Sequence, residues 1–323
     1  MDQAILGIDI AKATFHAALL TADSATNKSF PNNAKGFTQL EHWLRNRKVD
    51  RVHACIEATG SYGEALAVHL AETGHTVSIV NPARIKGFAI SELQRNKTDN
   101  IDAGVIARFC KALQPPAWTP PPPAVRELQA LVRRRQNLQA TRQRELNRRQ
   151  VPGLPASVER SVEGLVKFLD AEIDQLDELI RKHIDQHPDL RNQTQLLTTI
   201  PGIGEATAAV ILSEIPDISQ FRNVKQLVAF AGLSPRQHTS GSSIHRKSTL
   251  SKVGNPRLRS ALFFPAIVAM THNPVLQRAA RRLRAAGKSK MVVIGMLMRK
   301  LLHLAYGILR SGQPFDPAFG PAQ

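Results

Sequence analysis

The sequence predicts an α/β plus α protein: a mixed-sheet domain over residues 1–118, a proline spacer with coiled-coil helices over 119–190, and a mostly α-helical, basic domain over 191–323. Three observations predict it. Short β-prone runs alternate with helical ones as far as a proline-rich stretch. Apolar residues then recur at an alternating four-three spacing. Beyond that, cationic side chains accumulate on helical patterns.

The elements follow in order. "AILGIDI" and "TFHAALL" are apolar, β-prone runs separated by "AKA", which reads as a hairpin. "RVHACIEATG" is a third strand, "YGEALAVHLAETG" a helix with Gly74 as its C-cap, and "HTVSIVNP" another strand. "DNIDAGVIARFCKAL" is a longer helix. The stretch "QPPAWTPPPPA", Gln114 to Ala124, cannot continue it and behaves as a stiff spacer. Val162, Val166, Leu169, Ile173, Leu176 and Ile180 then form a coiled-coil seam, whose partner is the arginine-rich helix around Leu128, Leu131, Leu138 and Leu146. The seam is expected to protrude or to join chains; a helical hairpin packed on its own domain is the other arrangement that six positions allow. From about Asn192 onward the chain reads as helix throughout, with proline and glycine turns.

An apolar content of 42% is ample for packed cores, and no uninterrupted apolar run reaches membrane-spanning length. "MDQAILGIDI" lacks the flanks of a signal peptide, so a cytoplasmic protein with no membrane partner is expected. Cys55 and Cys110 sit in apolar segments without a C-x-x-C pattern and read as reduced core residues, which argues against a zinc site. The net charge is +17, and its placement is the informative part. From Ile218 to Phe315 there are 17 Lys or Arg and no Asp or Glu, leaving 26 basic against 26 acidic residues elsewhere. Solvated surfaces normally mix both signs, so a surface of one sign points to a polyanion, DNA or RNA, as partner.

Four carboxylates stand out in the first domain. Asp9 lies inside the apolar strand "LGIDIAK", where a lone acid is costly unless it is paired, protonated or metal-bound. Glu57 ends a second apolar strand, and Asp99 and Asp102 in "NKTDNIDA" are neighbours on one helix face, where two anions repel without a cation. Taken singly, Asp99 and Asp102 also suit a helix N-cap and first turn, and Glu57 a turn cap. Together they suit Mg2+, and two such ions about 3.5 to 4 Å apart clamp the attacking and leaving oxygens of a phosphodiester.

This order of acids resembles the RNase H-like nuclease fold in its RuvC-type form. More closely, "GIDIAK", "IEATGSYGEALA", "VSIVNPARIKGFA" and "RNKTDNIDA" resemble the DEDD insertion-sequence transposases, relatives of the Piv invertase described as bridge-RNA-guided serine recombinases. The resemblance covers nearly the whole chain. It implies metal-binding, catalytic roles for Asp9, Glu57, Asp99 and Asp102, a structured guide RNA encoded in the element, and a tetramer built as a dimer of dimers.

In the basic domain, "LTTIPGIGEATAAVILSEI" resembles a helix-hairpin-helix motif, with Gly202 and Gly204 letting a phosphate approach the turn; many helical hairpins use glycine merely to turn. "HTSGSSIHRKST" sets Ser240, Ser242 and Ser243 among Arg236, His238, His245, Arg246 and Lys247. Cations there would polarise a phosphate, but the residues alone favour a loop that only grips it, and choose no serine. The family resemblance does choose: it makes Ser240 the nucleophile. Arg281, Arg282, Arg284, Lys288 and Lys290 form the densest basic cluster and are expected on phosphates. Three other functions are weighed against recombination. A two-metal nuclease resolving branched DNA by hydrolysis would use the carboxylates alone. A sugar-kinase-like protein lacks its second phosphate loop here, and an architectural binder leaves Asp9 unexplained.

Overall fold

The computed structural model describes residues 4–22, 24–58, 60–92, 99–240 and 244–318, with 61, 99–101, 237–240 and 244–248 described by backbone alone. The chain divides into two units, Met1–Pro120 and Pro121–Gln323.

The first unit contains β1 (Ala4–Ile10), β2 (Thr14–Leu20), β3 (Ala25–Pro31), α1 (Ala34–Arg45), β4 (Val52–Glu57), α2 (Glu64–Glu72), β5 (Thr76–Val80), α3 (Pro82–Ser91) and α4 (Asp99–Leu113). Its sheet has the order β3-β2-β1-β4-β5. The first three strands meander antiparallel, and β4 and β5 join in parallel. Leu6, Ile8 and Ile56 point into one core, beside Leu40, Trp43 and Leu66 of α1 and α2. Ile5 and Cys55 point to the opposite core, formed with Ile85 of α3 and Ile106 of α4. A sheet covered on both faces explains why its strands read as continuous apolar runs.

Three elements were not expected from the sequence: β3, α1 and α3. β3, "ATNKSFP", is a polar edge strand that buries only Phe30. α1 starts at Asn33, whose side chain accepts the Gly36 N–H at 3.1 Å, and turns Phe37, Leu40, Trp43 and Leu44 inward. The proline stretch is also partly anchored. The Ser78 hydroxyl lies 3.0 and 2.8 Å from the carbonyl oxygens of Pro115 and Pro116, and Trp118 N–H donates to Val77 O at 2.6 Å.

The second unit contains α5 (Pro123–Arg149), α6 (Ala156–Gln186), α7 (Pro188–Thr198), α8 (Glu205–Glu214), α9 (Val224–Phe230), β6 (Pro235–Ser240), β7 (Ile244–Leu250), α10 (Pro256–Ala261), α11 (Phe263–His272), α12 (Pro274–Ala285) and α13 (Lys290–Ser311). The predicted seam closes within the chain: Leu138 of α5 packs with Leu169, Ile173 and Leu176 of α6. Its register is marked by ion pairs recurring every seven residues on both helices, Arg135–Asp177, Arg142–Asp170 and Arg149–Glu163, the last at 2.8 Å. Farther along, Val125, Leu128 and Val132 with Ile180 and Ile184 enter the core shared by α7 to α13. Among the described residues α13 alone is long and apolar enough to cross a membrane, yet its Val293, Leu297, Leu301 and Leu302 are buried in this core.

The expectation of helix throughout this region does not hold. Residues 235–240 and 244–250 form a two-stranded antiparallel ribbon. Its strands, "PRQHTS" and "IHRKSTL", are rich in polar residues, so they carry little of the apolar alternation by which a strand is read.

Candidate active site and nucleic-acid interface

β1 and β4 are paired in parallel with Ile8 opposite Ile56, so the next row places Asp9 beside Glu57 at the carboxyl ends of both strands. Because side chains alternate, the two acids share the face that carries Ile5, Gly7 and Cys55. Both are half-buried. Two carboxylates on one face of strands that lie about 4.8 Å apart repel each other when both are ionised. A cation removes that cost.

α4 covers the same face. A β-carbon on Gly7 would fall 2.8 Å from Ala107 Cα and closer still to the Ala103 carbonyl, so only glycine lets the helix down onto β1 there. Cys110 Sγ reaches the carbonyl of His53, which lies in the row of Ile5, at 3.9 Å. The helix therefore runs opposite to β1. Two strand residues span about 6.6 Å, equal to about four residues of helix rise, which brings the first turn of α4 over the row of Asp9 and Glu57. Asp99 and Asp102 belong to that turn. Asp102 is half-buried; the side chain of Asp99 lies outside the described residues. Among the described residues no group of three His, Cys, Asp or Glu side chains stands ready to hold a metal. The four positions offer oxygen donors only, a set that suits a hard divalent cation rather than zinc. Cys55 and Cys110, just below, are buried and free.

Sequence reasoning missed one neighbour. His16 on β2 is paired opposite Asp9, on the same face, and is half-buried. The alternation of "TFHAALL" would have placed it there once the hairpin register was known.

Ser240 is the last residue of β6, paired with Ile244, at the far end of the ribbon from its root. Arg246 is paired with His238, and Lys247 follows it on β7; the side chains of all of these lie outside the described residues, as do Gly241, Ser242 and Ser243 entirely. Arg236, near the root, is exposed. The ribbon thus gathers Ser240 and three predicted cations on one two-stranded arm.

Two family models match the chain, one of DEDD transposases over residues 6–151 and one of the IS116/IS110/IS902 transposases over residues 194–281. Over 319 residues the chain is 39% identical to the pilin gene-inverting protein of Moraxella lacunata, covering 98% of each. The chain belongs to the IS116/IS110/IS902 transposase family. Another relative of this family member is the transposase of insertion sequence element IS1328 from Yersinia enterocolitica, 27% identical over 97% of this chain and 98% of the relative. Among solved structures, T. thermophilus RuvC in complex with a Holliday junction substrate is similar at 12% identity and a TM-score of 0.27, covering 34% of this chain and 96% of that one.

The remaining sites predicted for this transposase-family chain lie on the helical core. Gly202 has φ 107°, and a β-carbon there would fall 2.7 Å from Ala269 Cβ, so the close approach that requires glycine is to α11. Asn273 Nδ2 donates to Pro201 O at 3.3 Å and ties the same turn down. Gly204 faces open space as the N-cap of α8. Arg281, Arg282 and Arg284 are exposed on α12, opposite buried Leu276, Ala279 and Ala280. Lys288 and Lys290 are exposed at the start of α13, whose first turn holds no acid. A cation at a helix N-terminus adds to the positive end of the helix dipole, and an anion there relieves both.

Proposed function

We propose that the chain cuts and rejoins DNA through a covalent phosphoserine at Ser240, with Asp9, Glu57, Asp99 and Asp102 holding Mg2+, as two ions, in an RNase H-like domain. The observation that carries this reading is the meeting of the Asp9–Glu57 row with the first turn of α4, held there by Gly7. The sheet order β3-β2-β1-β4-β5, three antiparallel strands followed by two parallel ones, supports the RNase H-like reading.

In the proposed step the Ser240 hydroxyl oxygen bonds to phosphorus while the bond from phosphorus to the 3′ oxygen breaks. The serine proton is balanced by the one gained on the departing 3′ hydroxyl. Attack by the 3′ hydroxyl of another strand reverses the step and restores serine, so exchange needs no ATP. Mg2+ supplies charge neutralisation and Lewis acidity toward the phosphodiester. The carboxylates supply its oxygen ligands, and the exposed Arg and Lys residues of α12 and α13 hold DNA or guide RNA by their phosphates. Full-length similarity to a pilin gene-inverting protein and to an insertion-sequence transposase supports strand exchange, which both inversion and transposition require. A structured guide RNA and a tetrameric assembly complete the proposal.

The test is product analysis. A supercoiled plasmid carrying the DNA that flanks the gene, incubated with the protein, Mg2+ and the transcript of that flanking DNA, should yield rejoined recombinant junctions. Free ends without rejoining would favour hydrolysis by a two-metal nuclease instead.

A further inference from the structure

We infer that Glu214 is a positioning residue for the Ser240 ribbon: its buried carboxylate holds Asn255 at the ribbon's root and so sets the direction in which the ribbon leaves the helical core. The inference rests on Ser240 as the nucleophile.

Glu214 ends α8, and its side chain is only 4% exposed. A buried carboxylate is strongly unfavourable unless it is both paired and hydrogen-bonded. The pairing and the hydrogen bond, the latter to one oxygen only, come from residues far apart in the chain. Arg133 Nε of α5 stands 3.5 Å from one carboxylate oxygen, and Asn255 Nδ2 donates to the other at 2.6 Å. Gln129 of α5 also donates to Ser213 O at 3.1 Å, so the end of α8 is fixed to α5 twice.

Asn255 in turn commits every polar group it has near the root. Its N–H donates to Phe230 O at 2.6 Å, and its side-chain oxygen caps α10 by accepting from Leu258 N at 3.0 Å. Just before it, the two feet of the ribbon are clasped. Ser251 N–H donates to Ser234 O at 2.9 Å and Lys252 N–H to Gly232 O at 3.2 Å. Gly254, at φ 141°, leaves no room for a side chain: a β-carbon there would fall 2.7 Å from Gly232 N. Arg259 Nη1 closes the clasp on Ala231 O at 3.1 Å. The clasp fixes the feet to one another, and Glu214 fixes the clasp to α8 and α5.

Leverage makes this matter for chemistry. From Pro235 to Ser240 the ribbon spans about 17 Å, so a tilt of about 10° at the root moves Ser240 by about 3 Å. Oriented attack tolerates on the order of 1 Å.

The test separates positioning from stability with two variants, Glu214→Met and the double variant Arg133→Met/Glu214→Met. Methionine keeps the length of the side chain but offers Asn255 no oxygen to donate to; the double variant also removes the cation that faces position 214. Measured on each are thermal stability, affinity for a DNA duplex carrying the flanking sequence, hydrogen exchange over the ribbon, and the rate of covalent adduct formation. Glu214→Met should slow adduct formation by about ten- to a hundredfold, keep DNA affinity within about twofold because phosphate contacts carry it, and speed exchange in the ribbon. The double variant should regain thermal stability without regaining the adduct rate. Recovery of the rate together with stability would overturn the inference, as would unchanged ribbon exchange in Glu214→Met. If the wild-type chain forms no adduct, the Ser240 assignment fails, and ribbon exchange still decides whether Glu214 positions the arm.

Discussion

Gly7 lies so close beneath α4 that a β-carbon on it would fall 2.8 Å from the Cα of Ala107. That single missing methyl group lets the helix carrying Asp99 and Asp102 settle on the strand carrying Asp9. The clash would be with helix backbone, which has no rotamer by which to move away. Gly7→Ala should therefore cost about 2 kcal/mol or more in urea unfolding, as overpacking of a tight core does, and should abolish strand exchange.

Neutral isosteres test the carboxylate row without altering its shape. Asp9→Asn and Glu57→Gln each remove one charge from the row and keep the length of the side chain. Added Mg2+ should raise the melting temperature of the wild-type chain and leave that of the variants unchanged. Strand exchange should be lost in both, while affinity for nucleic acid persists. An equal Mg2+ response in wild type and Asp9→Asn would remove the metal assignment.

The α5–α6 hairpin lets two kinds of contact be weighed against each other. Arg142 and Asp170 are 37% and 44% exposed, so their ion pair is screened by solvent and Arg142→Ala should cost under about 1 kcal/mol. Leu169 is buried in the seam, and Leu169→Ala should cost about 2 to 4 kcal/mol. The apolar seam supplies the stability, and the ion pairs select the register. Denaturant unfolding of the two variants measures the difference.

Nucleic-acid affinity should fall steeply with salt, because each phosphate neutralised releases counterions. Arg281→Gln and Arg282→Gln remove exposed cations from α12 without touching its buried face. Each should lower the slope of log affinity against log salt by about one and leave the melting temperature unchanged. A slope unaltered by both would take α12 out of the contact surface.

What could be read from the sequence follows from which residues advertise their surroundings. Asp9 was legible because an acid within "LGIDI" contradicts its neighbours, and the α5–α6 seam because its spacing repeats. β3 was not, since an edge strand bearing Asn27, Lys28 and Ser29 exposes what a central strand buries. The Ser240 ribbon was hidden for a related reason: it leaves the core and carries polar side chains along both strands. Gly7 and Gly202 announce a close approach, but only the fold names the partner, α4 for one and α11 for the other. Glu214, within "ILSEIPD", looks like any acid at a helix end until Arg133 and Asn255 are seen to converge on it.

The most direct measurement is to trap the protein–DNA link itself. Wild-type and Ser240→Ala chains are incubated with end-labelled duplex carrying the flanking DNA, Mg2+ and the flanking transcript, then denatured, resolved by mass and digested for peptide mapping. The predicted result is a covalent adduct in the wild type whose phosphate maps to Ser240, and none in Ser240→Ala. An adduct of equal yield in Ser240→Ala, or cleavage by the wild type with no adduct at any time point, would contradict the phosphoserine mechanism.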